Sequence, residues 1–360
     1  MADDVRYGVI GTGMMGVEHI ENLAAIAGTV VTALCDPHPP SIENALAACP
    51  DDAPPPRVFS DHRDLLDAGV CDVTVIATPN HLHVTPLLDS MAAGLHVLVE
   101  KPLATTVADC RTLVEAARDH AGVVWVGLEY RYMPPVARLI DEVRAGAIGT
   151  LRMLSIREHR FPFLHKVGDW NRFTANTGGT LVEKCCHHFD LMNLIVGERP
   201  VRVMASGGQD VNHLDEVYDG RRSDILDNAF VIVEYGGGVR TMLDLSMFAE
   251  ASRNSEELVA VGDAGKVEAL IPDDIVRIGR RGTHWHDVEE HHVVDDRIAH
   301  TGLHHGSSYL EHVGLLDAIR TGHEPDVSLE DGMLAVAIGA AAHRSIDDGR
   351  PVEVAELLDP

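Results

Sequence analysis

The strongest constraint on this chain is a six-residue turn, Gly11-Thr12-Gly13-Met14-Met15-Gly16, set between the apolar run Val5–Ile10 and a helical pattern. A strand that runs through Gly-x-Gly-x-x-Gly into a helix is the signature of a dinucleotide-binding βαβ unit. Gly11 permits the tight turn, Gly13 lets the backbone approach a pyrophosphate, and Gly16 allows close helix packing. The helix amino terminus, carrying Met14 and Met15, presents N–H groups and a partial positive charge to the phosphates. The next strand, Val30–Cys35, ends at Asp36, 20 residues past Gly16. A carboxylate there accepts hydrogen bonds from ribose hydroxyls and repels a 2′-phosphate, which favours NAD(H) over NADP(H). Asp36-Pro37 is also a sound turn starter, so both readings stand.

The rhythm set by this unit continues. A loop at Asp51–Pro56 and a short helix at Asp61–Ala68 lead to a strand at Asp72–Ala77. Then come a helix at His83–Ala93, a strand at His96–Val99, a helix at Thr106–His120 capped by Thr105 or Thr106, and a strand at Val123–Val126. Short apolar runs alternating with helical patterns predict an α/β domain with a parallel sheet over residues 1–127. Beyond residue 128 a helix at 136–145 precedes strand patterns at Leu151–Arg157, Val201–Ser206, Ala229–Tyr235, Val239–Met247, Glu257–Gly262 and Lys266–Leu270. Tight turns at Tyr235-Gly-Gly-Gly238 and Gly262-Asp-Ala-Gly265 join some of these, which predicts an antiparallel or mixed sheet in a second domain, residues 128–360. A chain of 360 residues exceeds what one small core supports, in keeping with two domains.

The net charge of −27 argues against nucleic-acid backbones and anionic membrane surfaces as partners. No run approaches the roughly 20 apolar residues of a membrane helix. Met1–Val5 lacks the basic and apolar regions of a signal peptide, so a cytoplasmic protein is expected. Six scattered cysteines without Cys-x-x-Cys spacing read as reduced thiols. The 22 histidines form pairs such as His81-x-His83, His284-x-His286 and His291-His292, but none completes a ligand set with cysteines, and no metal is expected.

Three more segments carry chemistry. Thr78-Pro-Asn80-His-Leu-His83 follows a strand directly, where Thr78, Asn80 and His83 can bond ribose and nicotinamide groups or serve as a helix cap. Glu100-Lys101-Pro102 places a lone lysine at the carboxyl end of a predicted parallel strand, ahead of an X-Pro bond that adopts cis cheaply. In Gly178-Gly-Thr-Leu-Val-Glu183-Lys184-Cys-Cys-His187-His188-Phe-Asp190, a helix over 181–194 puts Glu183, His187 and Asp190 on one face. A carboxylate four residues before a histidine can orient it as a general base, and Glu-x-x-x-His is equally half of a metal site.

Taken in order, these four motifs resemble those of the glucose–fructose oxidoreductase/inositol dehydrogenase (Gfo/Idh/MocA) family, over most of the chain. The resemblance implies an amino-terminal Rossmann domain and an α+β carboxyl-terminal domain with a large open sheet. It also implies dimers or tetramers formed through that sheet, with NAD(P)-dependent oxidation or reduction of sugars, inositols and their derivatives. By motif, Glu100-Lys101 lies at the cofactor, Lys101 is the catalytic lysine and His187 the general acid/base. Glu183 stands where aspartate is usual, and Lys184 with Cys185-Cys186 replaces small residues. Trp170-Asn-Arg172, Arg131 within Tyr130-Arg131-Tyr132, Lys184 and His305 within His304-His305-Gly306 are candidate substrate contacts with equally good structural readings. The expected protein is an NAD(H)-dependent dehydrogenase of a cyclic polyol or sugar. The alternatives are a cofactor-sensing binding protein on the same scaffold and an NADP-dependent sugar reductase.

Overall fold

The computed structural model describes residues 4–358; Met1–Asp3, part of the segment that lacks a signal-peptide pattern, lies outside them. The chain divides into two compact units, each described by itself. Unit 1 takes the chain up to Glu129 together with Lys166–Trp170 and Asp296–Met333. Unit 2 takes Tyr130–His165, Asn171–Asp295 and the chain from Leu334 onward.

In unit 1, β1 (Val5–Ile10), α1 (Met14–Ala24), β2 (Thr29–Cys35), α2 (Pro39–Ala48), β3 (Arg57–Phe59), α3 (His62–Asp67), β4 (Val73–Ile76), α4 (Val84–Ala92), β5 (His96–Glu100), α5 (Val107–Ala117) and β6 (Val124–Gly127) follow in turn. All pair in parallel, in the order β3-β2-β1-β4-β5-β6. Tyr7, Val9, Val75, Leu98 and Val126 are fully buried, which is why these strands read as unbroken apolar runs. The strand order reverses between β1 and β4, and a doubly wound sheet binds ligands outside the carboxyl ends of its strands at that switch. The cap of α5 forms as expected, with Asp109 N donating to Thr106 Oγ1 at 3.1 Å. Two elements go beyond the sequence reading. Pro39 and Pro40 start α2 instead of breaking it, because the first helical positions lose no hydrogen bond to proline. Strand β3 has three residues, too few to show a pattern.

Unit 2 opens with α6 (Pro134–Arg144) and β7 (Leu151–His159). Short helices α7 (Thr174–Thr177) and α8 (Thr180–Glu183) precede α9 (Cys186–Val196), and the strands follow: β8 (Pro200–Gly208), the small hairpin β9 (Val217–Tyr218) and β10 (Arg221–Arg222), β11 (Asn228–Tyr235), β12 (Arg240–Ser246), β13 (Glu256–Gly262), β14 (Gly265–Ile271), β15 (Ile275–Arg280) and β16 (Glu289–His292). After α10 (Ser307–Thr321, in unit 1) and α11 (Leu329–Asp348) comes β17 (Val352–Glu353). Nine strands form one sheet, ordered β16-β15-β14-β13-β7-β12-β11-β8-β17 and antiparallel except where β7 meets β12. Its inner face buries Ile156, Val231, Leu243 and Leu258. The register sets Met204 and Met242 opposite Ile232, so Met153, Met204, Phe230 and Met242 share the other face and stay exposed.

The expected helix over 181–194 is two helices. It is interrupted at Lys184 and Cys185, both in right-handed backbone conformation. Helix α11 was not legible, since Gly332, Gly339 and an alanine run blur its periodicity. Its start is nevertheless boxed: Asp331 N donates to Ser328 Oγ at 3.1 Å and Ser328 N to Asp331 Oδ2 at 3.0 Å.

Candidate active site

Every motif singled out in the first third falls at the carboxyl end of a unit 1 strand. Gly11–Gly16 follow β1, Asp36 follows β2, Thr78–His83 follow β4 and Lys101 follows β5. The three glycines divide their work. Gly11 has φ of 90°, and a Cβ there would lie 2.6 Å from Ala77 and Thr78 backbone; one on Gly16 would lie 2.2 Å from Gly11 O. A Cβ on Gly13 would meet nothing within 4 Å, so what that glycine leaves bare faces open space. Helix α1 starts at Met14 with no side-chain cap, leaving its amino-terminal N–H groups to an outside acceptor. Around this turn Thr12 Oγ1, Thr78 Oγ1 and Asn80 Nδ2 are buried without a hydrogen bond. Buried polar atoms seldom stay so. An uncapped helix start, an open glycine and unfilled polar groups together fit the phosphates and ribose of a dinucleotide. Asp36 sits beside them, accepting from Thr12 N through Oδ2 and from His38 N through Oδ1, both at 2.8 Å.

Behind Lys101 lies a buried polar network that sequence reasoning passed over. Glu100 Oε1 accepts from His19 Nε2 at 3.0 Å, and Glu100 Oε2 accepts from Lys101 N at 3.1 Å. His19 Nδ1 lies 2.9 Å from His312 Nε2, which carries the network on to α10. Burial pushes the Glu100 carboxyl up, but the His19 hydrogen bond and the charges of His19 and Lys101 outweigh it and hold it at about 2. Glu100, expected at the cofactor, braces the lysine loop from within through its carboxylate, and the Lys101–Pro102 bond is cis. His83 is held in a comparable way. Its Nδ1 lies 2.9 Å from Pro102 O and its Nε2 3.0 Å from Thr78 O, so both edges of the buried ring tie the β4 and β5 loops together. Glu18 is buried on α1 and accepts from Leu303 N and His304 Nδ1, each at 3.1 Å. His304 Nε2 lies 3.9 Å from Glu129 Oε1. Burial, aided by the Glu100 charge, raises the Glu129 carboxyl to about 7 against the pull of His304 and Lys101, and burial lifts Glu311 well above the carboxylate range. The available signal was Glu18-His19 on the core-facing side of an amphipathic helix.

In unit 2, Glu183 ends α8 and His187 lies in the first turn of α9, both buried. Tyr130 lies parallel to His187, with ring centroids 4.0 Å apart and planes 8° apart. Lys184 is 4% exposed, donates to the Tyr130 hydroxyl and pairs with Glu158 Oε1 at 2.9 Å. It is therefore built in between Tyr130 and Glu158. Arg131 is buried and bonds Asp190 through Nε and Nη2, which commits its fork to α9. Arg172 is 1% exposed; Nε bonds Glu216 at 2.9 Å, and its remaining nitrogens bond Leu164 O and Phe163 O. Both arginines thus clamp unit 2 from within, each with its Nε donating to a carboxylate. Trp170 is half-buried in unit 1, its ring 6.2 Å from that of His81. His305, also in unit 1, takes a left-handed turn with φ of 56° ahead of α10.

The glycine turn at the switch point defines a dinucleotide-binding fold. Residues 5–128 match the model described as the oxidoreductase family's NAD-binding Rossmann fold, and residues 140–354 match that of its C-terminal alpha/beta domain. The chain belongs to this oxidoreductase family, Gfo/Idh/MocA, and NAD(H) is its cofactor. Relatives over essentially full length include myo-inositol 2-dehydrogenase of Thermotoga maritima, 26% identical over 98% of this chain and 100% of that one. Inositol 2-dehydrogenase 1 of Saccharopolyspora erythraea is 30% identical over 99% and 97%. Among solved structures, levoglucosan dehydrogenase in complex with NADH superposes with a TM-score of 0.86 over 98% of this chain and 99% of that one; at 22% identity the likeness is one of fold. Among the described residues no helix is long and apolar enough to cross a membrane.

Proposed function

We propose that the protein oxidises a secondary hydroxyl of a cyclic polyol, sugar or sugar derivative to a ketone, or catalyses the reverse. The observation that carries this reading is Lys101, a cation held at the carboxyl end of β5 by a carboxylate that pairs inward. Full-length similarity to two inositol 2-dehydrogenases supports the substrate class. NAD+ supplies the acceptor for the hydride that leaves the substrate carbon. His187 takes the hydroxyl proton, and Glu183 orients it. The Lys101 ammonium stabilises the developing alkoxide, a role in which a pre-placed charge contributes several kcal/mol. Thr78 and Asn80 bond the cofactor, while Glu100 and His83 fix the loops that present Lys101. The exposed Met153–Met204–Phe230–Met242 face supports a homodimer or homotetramer formed through the large sheet, and we place the protein in the cytoplasm.

A cofactor sensor on the same scaffold would need neither Lys101 nor His187, which disfavours it. The test is a screen of inositols, aldoses and anhydrosugars with NAD+, following NADH absorbance. Lys101→Ala and His187→Ala should each lower turnover about a hundredfold or more, with NAD+ affinity kept within a few-fold. Near-normal turnover by His187→Ala at neutral pH would exclude it as the base.

A further inference from the structure

His187 is 1% exposed, so a proton it accepts creates a cation in a place with almost no water. What surrounds it decides whether that cation is tolerated. The α8 end and the following turn bring Glu183 and Lys184, and α9 itself brings His188 and Asp190, the latter bound to Arg131; through Lys184 and Tyr130 the ring is linked to Glu158 and Arg160 of β7 and its extension, with Glu256 of β13 acting on Arg160. Glu158 is the hub of the deep charges. Its Oε1 lies 2.9 Å from Lys184 Nζ and 3.3 Å from Arg160 Nη1, and its Oε2 lies 3.2 Å from His188 Nε2. Burial works against the Glu158 charge, yet Lys184, His188 and Arg160 keep it ionised.

One group meets the His187 ring face to face. Tyr130 is 3% exposed, stacks on His187 at 4.0 Å and turns an edge to His188 at 5.8 Å, while its hydroxyl is held by Lys184. The Lys184 ammonium also lies 4.8 Å from the Tyr130 ring centroid. An aromatic face carries negative quadrupole density and attracts a cation laid on it, the more strongly when both are dry.

We propose that Tyr130 is a positioning residue for His187: its ring, pinned by Lys184, favours the protonated imidazole, while the Lys184 charge, partly offset by Glu158, keeps that preference in check. The two residues therefore act on His187 with opposite signs. Removing the ring makes the imidazolium less favourable. Removing the ammonium takes away a repulsive charge and leaves the Glu158 carboxylate, still met by Arg160 and His188, less compensated, which makes it more favourable. This assigns a task to Lys184, one of the points where the chain leaves the pattern of small residues usual after the acidic residue.

The inference rests on His187 being the base, so the test reads its protonation directly. In the full-length protein loaded with NAD+, the His187 ring signal is identified in an isotope-edited NMR titration by its loss in His187→Gln. Tyr130→Leu should lower the titration midpoint by about one pH unit, and Tyr130→Phe, which keeps the ring, should stay within a few tenths of the unmodified protein. Lys184→Met should raise the midpoint. A midpoint unmoved in a Tyr130→Leu protein that still binds NAD+ would overturn the proposal. If that variant does not fold, a Lys184→Met midpoint at or below the unmodified value overturns it instead. Turnover by His187→Gln would sink the base assignment without touching these shifts, so the two failures are distinguishable.

Discussion

Asp36 has two roles that substitution can separate. Its carboxylate joins the loop after β1 to the loop after β2, through 2.8 Å bonds from Thr12 N and His38 N. Hydrogen bonds to a charged acceptor contribute about 1.5–3 kcal/mol each, and at this half-exposed residue the lower end applies. That effect holds the turn in shape for either dinucleotide. The charge itself discriminates: at about 4 Å in high dielectric a unit charge repels another by about 1 kcal/mol, so a 2′-phosphate of nearly two charges is disfavoured by about 2 kcal/mol. NAD+ should therefore bind at least tenfold tighter than NADP+, since about 1.4 kcal/mol is a factor of ten. Asp36→Asn keeps an acceptor for one of the two N–H groups and removes the charge. It should shrink the gap below about threefold, with a modest loss for both cofactors. Asp36→Ser should narrow the gap similarly and weaken both cofactors further. Raising the salt should narrow the gap in the unmodified protein as screening shortens the reach of the charge. Calorimetric titration with both cofactors decides the matter. Equal binding by the unmodified protein, or a gap that survives Asp36→Asn, would refute the reasoning.

Glu129 makes stability pH-dependent in a defined window: its folded carboxyl, raised to about 7 from 4.5, contributes stability below 4.5 that is lost as pH rises through 7. The unmodified protein should lose up to about 3 kcal/mol relative to Glu129→Gln across that window and then level off; a Tm difference that stays constant from pH 5 to 8 would contradict this. Chelation should leave turnover unchanged, because the proposed chemistry runs on Lys101 and His187. Loss of activity with EDTA that zinc restores would replace them with a metal mechanism built on Glu183 and His187.

Local chemistry in the sequence specified the glycine turn, the parallel strands and their helices, the Lys101 loop and most antiparallel strands. Each of these is fixed by a short-range rule: which residues permit a turn, which period buries a face, which side chain caps a helix. Helix α11 and the α8–α9 break lie where such rules are ambiguous, in glycine–alanine periodicity and in a four-residue helix decided by what it packs against. The partners of individual polar side chains come from tertiary structure alone. Arg131, Arg172, Lys184, Glu100 and His83 all sit in motif positions and read as ligand contacts. Folding supplied Asp190, Glu216, Glu158, His19 and the Pro102 and Thr78 carbonyls as their partners, from 5 to 81 residues away in sequence. A buried charge must find a partner, and no sequence spacing says which distant residue will be brought to it.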